Sequence, residues 1–364
     1  MEKFAFIVHP ITARDFSRKF PFAKNWSDGF VEKVIKYIPP FKVSSVTGIY
    51  SSMSQAEGWF VGCPLTSNQM VSMPEEVVIK KIIKAGKVAE KLGAKIVGLG
   101  AFTSVVGDAG VTIAKNLNIP VTTGNSYTVA TALEGTLEAA KIMELDLNRA
   151  NVLVLGATGS IGAACAQVLA RKVRYLTLSA RNEAKLEKLA SQIMKSSGLA
   201  VRVTANTKAA LKSADIVIAV TSAVDSIIEP EDLKPGAIVC DVARPRNVSR
   251  RVSEIRNDVL VIEGGVVEVP GDVNFGINFG FPDRTAYACM AETMILALEQ
   301  RYENFTLGRE LTVKQVETIE QLARKHGFKL AGFRSFEKAI EPEAILRIKS
   351  NAQARSGSQT AVGN

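Results

Sequence analysis

Residues 151–182, NVLVLGATGSIGAACAQVLARKVRYLTLSARN, restrict the fold more than any other stretch of the chain. An apolar run ends at Gly156, a helical pattern follows, and a second apolar run stops at Ser179-Ala180-Arg181-Asn182. Two strands joined by one helix lie parallel in a sheet, because the helix returns the chain to the edge it started from.

The same alternation runs on both sides. EEVVIKKIIKAGKVAEKLG (75–93) has the periodicity of an amphipathic helix ending at Gly93. AKIVGLGA then predicts a buried strand, AGVTIAKNLN a helix and IPVTTG a short strand, with Asn125 or Ser126 capping a long helix through Lys141. The polar ELDLNRA (144–150) is the expected hinge. Beyond it, strands are expected at 151–155, 174–179 and near 200–204, and at ADIVIAV, GAIVCDV and VLVIEGG, with helices over 160–171 and 182–196. Two helices, about 284–303 and 312–326, close the fold, and the small polar residues after about 350 predict a disordered tail.

The fold class that follows is α/β. A Rossmann-type parallel sheet over 147–282 is expected to pack on an N-terminal α/β domain over 1–146. C-terminal helices over 283–340 and a tail over 341–364 complete it.

Composition narrows the function classes. Of the 364 residues, 47% are hydrophobic and 22% charged, which is material for a sizeable core. The net charge of +9 comes from dispersed Lys and Arg without interleaved aromatics, so no nucleic-acid partner is expected. That surface would suit an acidic partner or a polyanionic cofactor. Four separated cysteines and two histidines form neither a disulfide framework nor a metal motif. No cleavable leader and no apolar span of about 18 residues is visible, so a cytoplasmic protein without a membrane span is expected.

Gly156, Gly159 and Gly162 stand between a strand and a helix. Such a turn aims backbone N–H groups and a helix N-terminus at a diphosphate. Gly156, Thr158, Gly159, Ser160, Ile161 and Gly162 are therefore the candidate dinucleotide cradle. NAD enzymes place an acid about 20 residues on, to accept from the ribose 2′-hydroxyl. Here Ser179 and Arg181 stand in that region, and the first acid is Glu183. A guanidinium pairs with a 2′-phosphate that a carboxylate would repel, so the cofactor predicted is NADPH.

The helix in FPDRTAYACMAETMILALEQRYENF carries a candidate nucleophile. At about 100° per residue, Glu292, Glu299 and Glu303 define a polar stripe, opposite Tyr287, Met290, Met294 and Leu298. Cys289 falls near the polar side, in the first two turns, where Asp283 or Thr285 is the expected cap. Helix N-termini favour thiolate, and a thiolate can hold an acyl group as a thioester for reduction to an aldehyde. On helix position alone, a small packing residue is the commoner reading of Cys289. Cys63 is the rival nucleophile; Cys165 and Cys240 are expected in the core.

These pieces, taken in order, resemble the long-chain acyl-[acyl-carrier-protein] reductases of cyanobacteria. The resemblance runs from about 45 to 335 through LGAFTS (99–104), TTGNSYT (122–128), GATGSIG (156–162), SARN (179–182), EGGVVE (263–268), YACMAETMILALE (287–299) and RKHGF (324–328). It implies NADPH-dependent reduction of a fatty acyl thioester, carried by acyl carrier protein or CoA, to a fatty aldehyde. It implies that the catalytic cysteine of the Ala-Cys-x-Ala-Glu match is Cys289. It also implies that the glycine turn and Ser-Ala-Arg-Asn form the NADPH site. Oxyanion donors would come from Gly264 and Gly265 or from the 122–126 turn, and the family is associated with magnesium.

The chain departs from the family in CDVARPRNV (240–248), which adds Arg244 and Arg246, in the loop VPGDVNFGINFGFP (269–282), and over its first 40 residues. Other readings of the residues are a glutamyl-tRNA-reductase-like or shikimate-dehydrogenase-like oxidoreductase, or a non-catalytic NADPH-binding scaffold.

Overall fold

The computed structural model describes residues 1–362 apart from 222, 224–226, 244, 245, 279 and 281. The chain divides into two compact units. One comprises residues 1–127, 267–310 and 317–329; the other comprises 128–266, 311–316 and the segment from 330 onward. The division falls after Tyr127 rather than in the polar 144–150 segment, and most of 283–340 belongs with the first unit.

The first unit begins with β1 (Glu2–Val8), α1 (Ala13–Lys19), α2 (Asp28–Ile35), β2 (Phe41–Tyr50), β3 (Gln55–Gly62), α3 (Ser67–Ser72), α4 (Glu75–Lys91), β4 (Ile96–Leu99), α5 (Val111–Lys115) and β5 (Val121–Thr122). The strands lie in the order β2-β3-β1-β4-β5. All neighbours are parallel except β2, which runs against β3. Alternation along β1 divides its side chains between the two faces. Ala5 and Ile7 join Val78, Ile82, Ala85 and Ala89 of α4 in one buried cluster. Phe6 lies edge-on to Phe60, with ring centres 6.4 Å apart.

Helix α6 (Asn125–Ile142) leads into the second unit. There follow β6 (Asn151–Leu155), α7 (Ser160–Leu169), β7 (Tyr175–Ser179), α8 (Glu183–Ser197), β8 (Arg202–Thr204), α9 (Thr207–Ser213), β9 (Ile216–Ala219), β10 (Ile238–Asp241), α10 (Arg250–Ile255) and β11 (Leu260–Glu263). The six strands form one sheet in the order β11-β10-β9-β6-β7-β8, with parallel pairing throughout. This is the doubly wound Rossmann order, whose topological switch lies between β6 and β9. Leu153, Leu155, Val217, Val239 and Val261 pack one face against Leu211, Val248 and Val252.

Three helices follow: α11 (Ala288–Leu298), α12 (Val313–His326) and α13 (Pro342–Val362). Helix α11 lies on the first sheet against β1 and β4. Gly98 makes room for it, since a β-carbon there would fall 2.0 Å from the Thr293 hydroxyl. Every residue from Met290 to Leu298 is buried. The stripe expected from Glu292, Glu299 and Glu303 is therefore not one solvated face: Glu292 has no exposed surface. Helix α13 occupies the segment expected to be disordered. Its Ala, Gln and Arg residues are good helix formers. Asn351 donates to the Asn257 carbonyl at 2.9 Å, and Arg355 pairs with Asp258 at 3.0 Å, which ties the helix down.

Candidate active site

The glycine turn sits at the C-terminal end of β6, beside the switch point. Gly156 has φ +85°, and a β-carbon there would meet the Val220 carbonyl oxygen at 2.8 Å, so the turn admits no side chain. The Gly156 and Ala157 N–H groups donate to the Ser179 carbonyl, at 2.8 and 3.2 Å. Thr158 completes the turn, Gly159 is the N-cap of α7, and no side chain caps the helix. The first N–H groups of a helix lack intrahelical acceptors, so Ser160 and Ile161 present theirs at this end. Gly162 packs on the turn, its missing β-carbon 2.4 Å from the Gly156 carbonyl oxygen. A β-carbon at the exposed Gly159 would meet only the Gly156 carbonyl oxygen, at 3.4 Å. The residues fit a diphosphate.

Ser179 and Arg181 part company. Ser179 is fully buried, and its hydroxyl bonds Thr207 Oγ1 at 3.0 Å. With its carbonyl holding the Gly156 and Ala157 N–H groups, Ser179 braces the turn. Arg181 is exposed beyond the strand end, and Asn182 caps α8 by accepting from the Lys185 N–H at 2.9 Å. Of the added arginines, Arg246 pairs with the buried Glu263 carboxylate at 2.7 Å and lies 5.5 Å from the Phe336 ring centre. Arg244 lies outside the described residues.

In the first unit Cys289 is the second residue of α11, and it is half-buried. The N-cap is Tyr287 and no side chain caps the helix, so neither Asp283 nor Thr285 takes the expected role. Thr285 instead donates its hydroxyl to the Pro282 carbonyl at 2.7 Å. Gly124, just before α6, lies against Cys289. A β-carbon there would sit 2.4 Å from both Cα and Cβ of the cysteine. Two helix starts thus meet at this thiol, and helix N-termini carry partial positive charge.

Glu292, one turn on, fixes that meeting. Its Oε1 accepts from the hydroxyls of Thr122, at 2.5 Å, and Thr306. Its Oε2 accepts from the Ser126 hydroxyl at 2.6 Å and the Tyr127 N–H at 2.9 Å. A buried carboxylate needs such donors. TTGNSYT and Ala-Cys-x-Ala-Glu are each visible in the sequence, yet no spacing rule joins segments so far apart. It also missed Asp241, whose carboxylate accepts from the N–H groups of Ala243, Asn247 and Val248 and holds the loop after β10.

The other thiols are buried. Burial pushes the Cys63 thiol up to about 12, and it raises Cys165 as well. Cys240 sits 3.7 Å from the Ala132 carbonyl oxygen. Gly264 packs on that same Cys240 sulfur at 3.3 Å, measured to its absent β-carbon. His326 stands between Ser51 (3.0 Å) and Glu299 (2.9 Å), an order reminiscent of a hydrolytic triad. Ser51 Oγ, however, already accepts from the Met53 and Ser54 N–H groups, which makes it a turn-closing serine. Among the described residues no group of three His, Cys, Asp or Glu is placed to hold a metal ion, so magnesium finds no fitting site there and no step is assigned to it. No helix among them is long and apolar enough to cross a membrane.

The second unit defines a nucleotide-binding α/β protein of the Rossmann type. Residues 137–263 match the shikimate / quinate 5-dehydrogenase family, a match that lies in that unit and excludes α11. Over 322 residues, 87% of the chain, the sequence is 31% identical to the aminotransferase PigE of a Serratia species, and spans 37% of that protein. Over 334 residues it is 28% identical to the long-chain acyl-[acyl-carrier-protein] reductase of Synechococcus elongatus, covering 87% of this chain and 94% of the relative. The glutamyl-tRNA reductase of Flavobacterium psychrophilum is 26% identical over 184 residues, half of this chain and 41% of its own length. Of these four likenesses, one is to a dehydrogenase family, two are to proteins named as reductases and one is to a protein named as an aminotransferase.

Proposed function

We propose that the protein reduces a long-chain fatty acyl thioester, carried by acyl carrier protein or CoA, to a fatty aldehyde with NADPH, through an acyl-enzyme on Cys289. The observation that carries this reading is the placement of Cys289. It is the half-buried thiol of the four, at the start of α11, with the start of α6 packed on it through Gly124. The near end-to-end likeness to a reductase named for such a substrate supports it.

The Cys289 sulfur attacks the thioester carbonyl carbon. A carbon–sulfur bond to the enzyme forms, the bond to the carrier breaks, and the proton lost by Cys289 leaves with the carrier thiol. The tetrahedral adduct places negative charge on oxygen, and within the 122–126 turn, where Thr123 already donates to the Thr306 carbonyl, the Asn125 and Ser126 N–H groups are the candidate donors for it. Glu292 holds that turn through Ser126 and Tyr127, so it acts as a positioning residue. Gly156–Gly162 would hold the diphosphate of NADPH and Arg181 its 2′-phosphate. Bound there, the cofactor would supply the hydride for reduction of the acyl group to the aldehyde. An excess of nine positive charges favours encounter with an acidic carrier.

The test is intact-mass analysis after incubation with an acyl thioester in the absence of NADPH. The expected result is one acyl adduct, mapped to residue 289, absent in Cys289→Ala and discharged by NADPH. Undiminished aldehyde formation by Cys289→Ala would overturn the reading.

A further inference from the structure

The first 40 residues carry an aromatic row that runs from the core out to the surface. Phe16 is 6% exposed and lies tilted against Phe20 with ring centres 4.6 Å apart. Phe20 meets Phe22 at 5.7 Å, Phe22 meets Trp26 at 5.6 Å, and Trp26 meets Phe30 at 5.0 Å. The row ends in the open: Phe22 is 64% exposed and Phe30 50%. Tyr37, beyond α2, is 79% exposed. Below them Ala13, Ala23, Val31 and Ile35 form a buried cluster of their own, so the exposed rings stand on a packed base. A run of adjoining exposed aromatics on a folded chain marks an interaction surface, whereas scattered single ones do not.

Charge names the partner. Residues 11–42 hold seven Lys and Arg against three Asp and Glu, an excess of four. Arg14, Lys24, Lys33 and Lys36 are exposed on the segment that carries the rings. Asp28, the acid most exposed there, is engaged by Arg14 at 3.9 Å. Trp and Tyr rings settle at the level of lipid headgroups with the polar edge wet, and Phe rings beside them enter the acyl boundary. Basic side chains beside them meet anionic headgroups, each worth roughly fivefold in partitioning. Residues spaced like this suit a flat surface that takes rings and cations together.

We propose that the α1–α2 segment is a docking surface for an anionic lipid bilayer, with Phe22, Trp26 and Phe30 entering the headgroup layer and Lys24, Lys33 and Lys36 contacting its phosphates. The chain lies on the membrane there and does not span it. This surface does not depend on the proposed chemistry of Cys289.

The test is vesicle flotation of the full chain with phosphatidylcholine alone and with phosphatidylcholine mixed with phosphatidylglycerol. Binding is expected only to the mixed vesicles, and rising salt should weaken it. Phe22→Ser with Phe30→Ser should weaken it by at least about tenfold. Lys24→Glu, Lys33→Glu and Lys36→Glu together should weaken it by at least about a hundredfold. Circular dichroism and NADPH affinity should stay unchanged in both variants. If the serine variant misfolds, the charge-reversal variant decides. Failure of the wild type to float with phosphatidylglycerol, or equal binding by a folded variant, overturns the proposal. So does a change in oligomeric state on light scattering, which would assign this face to a second copy of the chain.

Discussion

Gly124 and Cys289 are in direct contact, the α-carbon of one facing the side chain of the other, and the glycine holds φ +75°. An L side chain there would be strained twice, by its own backbone and by the cysteine 2.4 Å away. Gly124→Ala should therefore move the start of α6 off the start of α11. The expected loss of stability is roughly 2–4 kcal/mol by urea denaturation. The rate of acyl-adduct formation at residue 289 should fall at least about tenfold, because the reacting geometry tolerates little displacement. A variant acylated at the wild-type rate would show that the contact does not serve the thiol.

Glu292 makes a sharper distinction between charge and hydrogen bonding. All four of its bonds come from neutral donors, three hydroxyls and one N–H. In Glu292→Gln the amide oxygen can keep Ser126 and the Tyr127 N–H, while the Thr122 and Thr306 hydroxyls rotate to accept from the amide nitrogen. Stability and kcat should change little. Glu292→Ala removes the acceptor shared by the Ser126 hydroxyl and the Tyr127 N–H and leaves the Thr122 and Thr306 hydroxyls only each other, at 2.8 Å, and should cost at least about 3 kcal/mol. Comparing the two melting curves checks this. A Gln variant as damaged as the Ala variant would mean that the negative charge itself is needed.

Glu292 also marks where sequence reading stops. Strand–helix alternation was legible because it is local: β6 spans the expected 151–155, and α4 runs from Glu75 to Lys91 with Gly93 just beyond at φ +87°. The glycine turn was legible for the same reason. The environment of α11 was not, since periodicity can place Glu292 on a polar side but cannot say that Thr122 and Thr306 wait there. Ser179 is a similar case. Its place in sequence suits a cofactor contact, while its hydroxyl is spent on Thr207 and its carbonyl on the glycine turn. The helix over residues 342–362 escaped because its anchors, Asn257 and Asp258, are distant in sequence.

Cys63 gives a prediction in pH. Burial raises its thiol from the ordinary 9.0 to about 12 in the folded chain. Below pH 9 the thiol is protonated whether the chain is folded or not. Between 9 and 12 the unfolded chain releases a proton that the folded chain keeps, so stability falls as pH rises through that window. Cys165 is raised by the same cause and acts in the same direction. Denaturant midpoints measured from pH 8 to 11 should fall, and fall less steeply in Cys63→Ala. At neutral pH iodoacetamide should label Cys289 and spare Cys63, and Cys63→Ala should keep its activity. Labelling of Cys63 in the native protein would contradict its burial.

The proposed NADPH site gives a prediction at Arg181. It is exposed just past the end of β7, and the first acid after it, Glu183, lies inside α8. A guanidinium in that place can make charge-assisted bonds to a 2′-phosphate, and each such contact is worth about 1.5–3 kcal/mol. Arg181→Ala should weaken NADPH binding by about 10- to 100-fold and leave NADH affinity within about twofold, because a ribose hydroxyl gives the cation little to hold. Arg181→Lys should recover part of the loss through charge alone. Fluorescence titration of both cofactors separates the cases: an equal loss for NADPH and NADH would assign Arg181 to the folding of the turn, and no loss for either would remove it from the site.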